Sequence, residues 1–387
     1  MDQLQPQAPA AGPATAASTG EPPSLRELLD EMVQRGASDL HITTAERPKI
    51  RIDGQITDSK CTYVLKPKDT LQIAYSVLNE NQKKKFENEN ELDFAFGIQN
   101  LARFRGNVFK QRGCVAIVLR QIPATVQTFD QLGLPPILAK LCDRPRGLVL
   151  ITGPTGSGKS TTLAAMIDRI NKQRKAHIIT VEDPIEFVHK HQSSIINQRE
   201  VGSDTKSFQS ALKYCLRQDP DVVLIGELRD LETIQAALTI AETGHLAIAT
   251  LHTNSAAETM NRIIDVFPAH QQAQVRAQLA FVLEGVVTQQ LLAKARGSGR
   301  VMACEILVAT PAIRALIRDD KVHQILSSIQ AGKKHGMQTL ADSLYVHYMA
   351  RDVTLEECLR VTADHNEFLR MVGEPVPGES AAMTGRK

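Results

Sequence analysis

Gly153, Pro154, Thr155, Gly156, Ser157, Gly158, Lys159 and Ser160, with Thr161 next, carry the complete spacing of a phosphate-binding loop. An apolar run at 148–151 precedes the loop, and a helix-forming stretch to about residue 171 follows it. A strand before and a helix after is the setting this chemistry needs. Glycines let backbone amides turn inward around phosphate oxygens, and a helix N-terminus adds positive potential. Lys159 is expected to neutralise the β- and γ-phosphates, with Ser160 as an Mg²⁺ ligand. ATP and Mg²⁺ are therefore the expected cofactors. A glycine-rich turn with an accidental Lys-Ser pair is the weaker reading in this context.

Three further apolar runs end in polar clusters. Residues 222–225 lead through Gly226 to Glu227, which would sit near Mg²⁺ and its waters, as the acid of a Walker B strand does. Gly226 stands where many such enzymes carry their metal-binding Asp. Residues 178–181 run into Glu182, Asp183, Pro184, Ile185 and Glu186, and a carboxylate there can orient and deprotonate an attacking water. Residues 246–250 run into His252, which can sense or stabilise a γ-phosphate. Singly, each is compatible with a capped strand end; together with the loop they make one site. Arg103, Arg105, Arg112 and Arg120 crowd the last strands before residue 121. Phosphoryl-transfer enzymes often import an arginine from a neighbour to offset transition-state charge. Exposed charge on a strand face is the alternative.

These groups need two kinds of scaffold. Ser24 and Glu27 form a capping box ahead of Leu25, Leu28, Leu29, Met32 and Val33 at helical spacing. Strand patterns at 39–42 and 50–56, a helix at about 68–85 and strands at about 91–120 complete a small α+β domain over 24–121. Asp53-Gly54 marks a tight hairpin turn. A proline-restricted linker spans 122–137. Apolar runs at 147–152, 176–181, 222–225 and 246–250 then alternate with helices, the pattern of a parallel α/β sheet in a domain over 138–370. Beyond 256 the pattern reads as mainly helical. Residues 1–23, with five Pro and six Ala, read as a disordered tail, and 371–387 as a flexible one.

Composition removes several function classes. A net charge of +2 over 387 residues gives no electrostatic case for a nucleic-acid partner. Six scattered cysteines without Cys-x-x-Cys spacing suit a reducing cytoplasm. No apolar stretch reaches membrane-spanning length, so direct membrane insertion is not expected.

In this order, the segments 36–41, 153–160, 181–189, 216–230, 243–253 and 312–319 resemble the secretion and type IV pilus motor ATPases, and within them the retraction motors. The resemblance covers about 24–370. It implies a PAS-like N-terminal domain, a RecA-like P-loop ATPase domain with a helical C-terminal part, and a homohexameric ring. It also implies Glu186 as general base, Glu227 as the Walker B acid acting on Mg²⁺ through water, and His252 as the His-box residue. Among Arg103, Arg105, Arg112 and Arg120 it implies at least one supplied across a subunit interface. The implied partner is an inner-membrane pilus platform protein, with the motor peripheral to that membrane on the cytoplasmic side.

Two features separate retraction from assembly within that resemblance. Assembly motors usually carry a four-cysteine zinc insertion where this chain has only 293–300, without a cysteine. Residues 312–319 also resemble the C-terminal signature of retraction motors, although Ala315 and Asp319 depart from its commonest form, which leaves an accessory retraction paralogue open. In that segment Ile313, Leu316 and Ile317 are expected to pack inward, with Arg314 and Arg318 sharing an exposed face. A RecA-like nucleic-acid motor and a nucleotide-regulated scaffold are the rivals. The first lacks a basic and aromatic binding segment, and the second is opposed by the intact Glu186 and Glu227.

Overall fold

A computed structural model describes residues 21–377 except 53, 123, 124 and 298. The expected N-terminal tail lies almost wholly outside the described residues, as does the last part of the C-terminal one. The chain divides into two units, Met1–Ala124 and Thr125–Lys387.

In the first unit, α1 (Leu25–Gln34) leads to β1 (Asp39–Ile42), β2 (Lys49–Ile52) and β3 (Gln55–Asp58). Then come α2 (Pro67–Tyr75), α3 (Glu80–Glu89), β4 (Glu91–Ile98), β5 (Ala102–Gln111) and β6 (Cys114–Ile122). The strands form an antiparallel sheet in the order β3-β2-β1-β6-β5-β4. The capping box at Ser24 forms as the sequence predicts, with Ser24 Oγ accepting from the Glu27 amide at 3.2 Å. It starts a helix whose Leu25, Leu28, Leu29 and Met32 are buried in one core with Leu40, Ile50, Phe104, Ile117 and Leu119 of the sheet. The single helix expected at 68–85 is two. Asn79 and Gln82 make a second capping box, and this start signal breaks the run.

The second unit opens with α4 (Phe129–Leu132), α5 (Pro136–Cys142), β7 (Gly147–Thr152), α6 (Lys159–Gln173), β8 (His177–Glu182) and β9 (Ile195–Glu200). It continues through α7 (Phe208–Cys215), β10 (Val222–Ile225), α8 (Leu231–Glu242), β11 (Leu246–Leu251), α9 (Ala256–Asp265) and α10 (Ala269–Val282). Next come β12 (Leu283–Ala293), β13 (Arg300–Val308), α11 (Pro311–Arg318), α12 (Ile325–Ala331), α13 (Leu340–Met349), α14 (Leu355–Val361) and α15 (His365–Val372). The sheet order is β13-β12-β7-β11-β10-β8-β9, parallel except for the β12/β13 pair.

Alternate residues of β7 enter different cores. Leu148 and Leu150 pack with α8, α9, α10 and α11, whereas Val149 and Ile151 pack with α5 and α6. A strand covered on both faces reads as an unbroken apolar run, which is why its position was legible. Gly226 explains a departure noted in the sequence. A side chain there would begin 3.2 Å from the Val181 carbonyl and 3.3 Å from Glu182 Cα, so an aspartate needs the backbone of β8 to give way by a few tenths of an ångström.

Three expectations need correction. The segment 122–137 is not simply a linker. Thr128 and Gln131 cap α4, and Leu134 joins the core under α6 with Phe129, Leu132 and Ile137 packed against it. The stretch beyond 256 is mainly helical as expected but not wholly so, since β12 and β13 within it supply two strands of the sheet. Thr288 and Gln289, polar yet buried, interrupt the apolar period there, and the run of β-branched Val286, Val287 and Thr288 favours a strand. The C-terminal tail does not begin loose at 371: α15 extends to Val372, Tyr348 donates to the Glu374 carboxylate at 2.8 Å, and Val376 is buried.

Candidate nucleotide site

β7 delivers the chain at the carboxyl edge of the parallel strands, and the loop turns back through Gly153, Gly156 and Gly158 at φ of 137°, 80° and 90°. At Gly153 glycine is required twice over. Its φ is left-handed, and a Cβ would strike the Gln289 carbonyl and Ser157 Oγ. Gly158 caps α6 without any side-chain hydrogen bond, so the N-cap position itself leaves the first helical amides uncapped. Ser157 is buried, and its hydroxyl has no partner among the described residues.

Lys159 folds over the loop and donates to the carbonyls of Gly153 at 2.7 Å and Pro154 at 3.0 Å. Burial holds its ammonium below the usual lysine range, and the carboxylates of Glu227 and Glu186 oppose that shift. Both acids are thus in electrostatic reach of the loop cation. Ser160 and Thr161 lie in the first turn of α6.

Backbone bonds tie the neighbouring strand ends together. The Gly226 amide donates to Val181 O at 2.8 Å, the Leu228 amide donates to Thr250 O at 2.9 Å, and Thr250 Oγ1 donates to Gly226 O. Glu227, one residue past this junction, receives Arg229 Nη2 at 2.8 Å on one oxygen and has His252 Nε2 at 3.4 Å from the other. Glu186 is exposed on the segment after β8, and its amide is held by the Glu182 carboxylate. The structure therefore gathers Lys159, Glu186, Glu227 and His252 at one sheet edge.

The four arginines belong to the other unit. Arg120 Nε lies 2.7 Å from the buried Asp39 carboxylate, and Arg105 Nη2 lies 3.9 Å from Asp93. Asp39 faces Arg51 and Arg120 across the sheet, and Arg120 faces Arg105, so the four residues form one cross-strand row. Arg103 stands opposite Ile122, and Arg112 occupies the β5–β6 turn at φ 48°.

Some of the site escaped sequence reasoning. Arg229 carried a usable signal, two residues beyond an acid already singled out. A cavity of about 370 Å³ beside the loop carried none. Gln131, Ser157, Thr161, Leu291, Arg300 and Met302 line it, from segments that meet only in the fold. Gln289, fully buried, also lines it and bonds Thr162 Oγ1 at 2.8 Å.

A glycine cradle at a helix N-terminus, a cation folded over it and two acids within its field define a P-loop ATPase. The chain belongs to the type II/IV secretion system protein family, whose model matches residues 21–360. It is 51% identical over 316 residues to the type IV pilus retraction ATPase PilT of Pseudomonas aeruginosa, covering 82% of this chain and 91% of that one. To the type IV pilus ATPase PilU of the same organism it is 43% identical over 346 residues, 89% of this chain and 90% of that one. A crystal structure of the pilus retraction motor PilT with bound ADP matches at a TM-score of 0.85 and 50% identity, covering 90% of this chain and 99% of that one.

Proposed function

We propose that this chain is a ring-forming ATPase motor that drives retraction of a type IV pilus. The observation that carries the reading is the convergence of Glu186 and Glu227 on Lys159. The identity to a retraction ATPase over most of both chains supports the pilus, and the six-residue turn between β12 and β13, without a cysteine, supports retraction over assembly.

Lys159 binds the β- and γ-phosphates together with the open amides of the loop. The cavity lined by Leu291 and Met302 takes the nucleoside. Among the described residues no cluster of three or more His, Cys, Asp or Glu could hold a metal alone. Such a site suits Mg²⁺, which keeps its waters and binds through phosphate oxygens plus one or two protein oxygens. Ser160 would be a direct ligand and Glu227 one through water. When bound, the ion would offset charge on the transferring phosphoryl group. Glu186 orients the attacking water and accepts its proton, while His252, linked to Glu227, reports on the γ-phosphate side. One of Arg103, Arg105, Arg112 and Arg120 reaches a neighbouring subunit's site in a homohexamer. Movement is passed to an inner-membrane platform protein from the cytoplasmic face. No described helix is long and apolar enough to cross a membrane.

Pilus imaging in cells lacking the gene tests the reading. Excess surface pili with lost twitching support retraction. Bald cells would assign the chain to assembly, and an unchanged pilus count with weaker twitching would favour an accessory motor of the PilU kind.

A further inference from the structure

β8 and β9 are parallel neighbours, with Thr180 opposite Gln198 and Glu182 opposite Glu200. Parallel strands are usually joined through a helix. Here residues 183–194 make the crossover without one, and Glu186 sits on it. Such a segment has no helical ladder for its amides and carbonyls, so side chains must serve.

Gln198 serves two of these groups and the Glu182 carboxylate at once. Its Nε2 donates to Phe187 O at 2.8 Å and to Glu182 Oε1 at 3.2 Å, and its Oε1 accepts from the His189 amide at 2.8 Å. Glu182 in turn accepts from Thr180 Oγ1 at 2.6 Å and from the Glu186 amide. Glu200, two residues further along β9, accepts from the Ile185 amide at 3.2 Å. The peptide groups on both sides of Glu186 are therefore pinned to one edge strand. The Glu186 carboxylate makes no hydrogen bond or ion pair of its own among the described residues, so its direction depends on that backbone.

We infer that Gln198 is a positioning residue for the reaction: it clamps 182–189 and so aims the Glu186 carboxylate at the water it activates. The inference rests on the reading of Glu186 as the base. A misplacement of about 1 Å in such a group costs on the order of 10²-fold in rate, without a matching loss of binding. Gln198 touches neither loop nor cavity, so its removal should leave ATP affinity alone.

The test is a cycle of variants in the full-length protein, read as kcat and KM for ATP. Gln198→Ala should lower kcat by roughly 10-fold or more with KM within about twofold. In a Glu186→Gln background the same substitution should cost almost nothing further, because the aimed group is already disabled. An unchanged kcat in Gln198→Ala, or the same fold loss in both backgrounds, would overturn the inference and leave Gln198 an ordinary staple. Should Gln198→Ala not fold, Gln198→Glu keeps the length and the acceptor for His189 but removes both donated bonds. It should show the same loss of kcat and the same silence beside Glu186→Gln; additive losses would again overturn the inference. Full turnover by Glu186→Gln alone is a separate result, one that strikes at the base assignment itself.

Discussion

Arg314 Nη2 lies 2.9 Å from Glu284 Oε1, and that pair turns Arg314 inward. The same guanidinium donates to the carbonyls of Ala280 at 2.7 Å, Phe281 at 2.6 Å and Ala309 at 3.1 Å. It therefore caps the C-terminal end of α10, where a cation complements the exposed carbonyls and the helix dipole. Glu284 also pairs with Arg144 at 3.0 Å, just before β7. The shared exposed face expected for Arg314 and Arg318 is not found. Ile313 and Ile317 are buried as their spacing predicts, but of the two arginines only Arg318 stands well out, 61% exposed beside Asp319.

The two substitutions should consequently separate. Arg314→Ala removes a cap and unbalances Glu284, at a cost on the order of 2 kcal/mol. That corresponds to a melting temperature lower by roughly 4–8 °C for a unit of this size. Arg318→Ala should stay within about 0.5 kcal/mol of the parent. Calorimetry of both variants beside twitching assays distinguishes a role in stability from one in output. Equal melting temperatures would show that the cap does not matter.

Within the loop and acids, three substitutions should divide by what they touch. Lys159→Ala should abolish turnover, because no second cation in the loop can replace it. Glu186→Gln should bind ATP with little change yet lose about 10²-fold or more in kcat. Glu227→Gln should demand more Mg²⁺ for half-maximal rate. A flat Mg²⁺ response, or equal loss of nucleotide binding by Glu186→Gln, would reassign the acids.

If one of the arginines at 103, 105, 112 and 120 completes a neighbour's site, mixing should rescue activity. An inactive variant at Arg103, Arg105 or Arg120, combined with inactive Glu186→Gln, gives hybrid rings in which some interfaces keep both parts. Turnover by the mixture supports sharing. Silence, with subunit exchange demonstrated by fluorescence transfer, would confine the arginines to their own chain.

Asp39 makes the first unit sensitive to acid. Burial works to raise its pKa, but hydrogen bonds from Ser38 at 2.7 Å and Arg120 outweigh it, and the carboxyl ends below the usual value of 3.8. A depressed acid pKa contributes stability in full above the unfolded value and loses it as pH falls through the folded one. The urea midpoint of this unit should therefore drop as pH goes from about 4.5 towards 2.5, and Asp39→Asn should flatten that slope. An identical slope in the variant would show that other carboxylates govern acid unfolding.

The gathering of the candidate site residues was more legible in the sequence than the scaffold that holds them. Lys159, Glu186, Glu227 and His252 announced themselves because each ends or follows an apolar run, and a parallel sheet brings such ends to one edge. β12 was lost because Thr288 and Gln289 are polar where the run should be apolar, the Thr288 hydroxyl bonding Thr152 and the Gln289 Nε2 bonding Thr162 from distant segments. The turn of Arg314 was lost for a related reason. Helical spacing assigns a face but not its neighbours, and two of the carbonyls Arg314 serves lie more than 30 residues away on α10.

β7 runs between β11 and β12 with every residue from Gly147 to Thr152 buried, while β9 has a strand on one side only. Protection of backbone amides from solvent deuterium should follow this asymmetry. The floor beneath Lys159 should exchange only with global opening, whereas 183–194 should exchange through local opening. Deuterium uptake should therefore rise first around Glu186 and last along β7, so the phosphate seat is the more rigid half of the site and the segment carrying the acid depends on its side-chain staples.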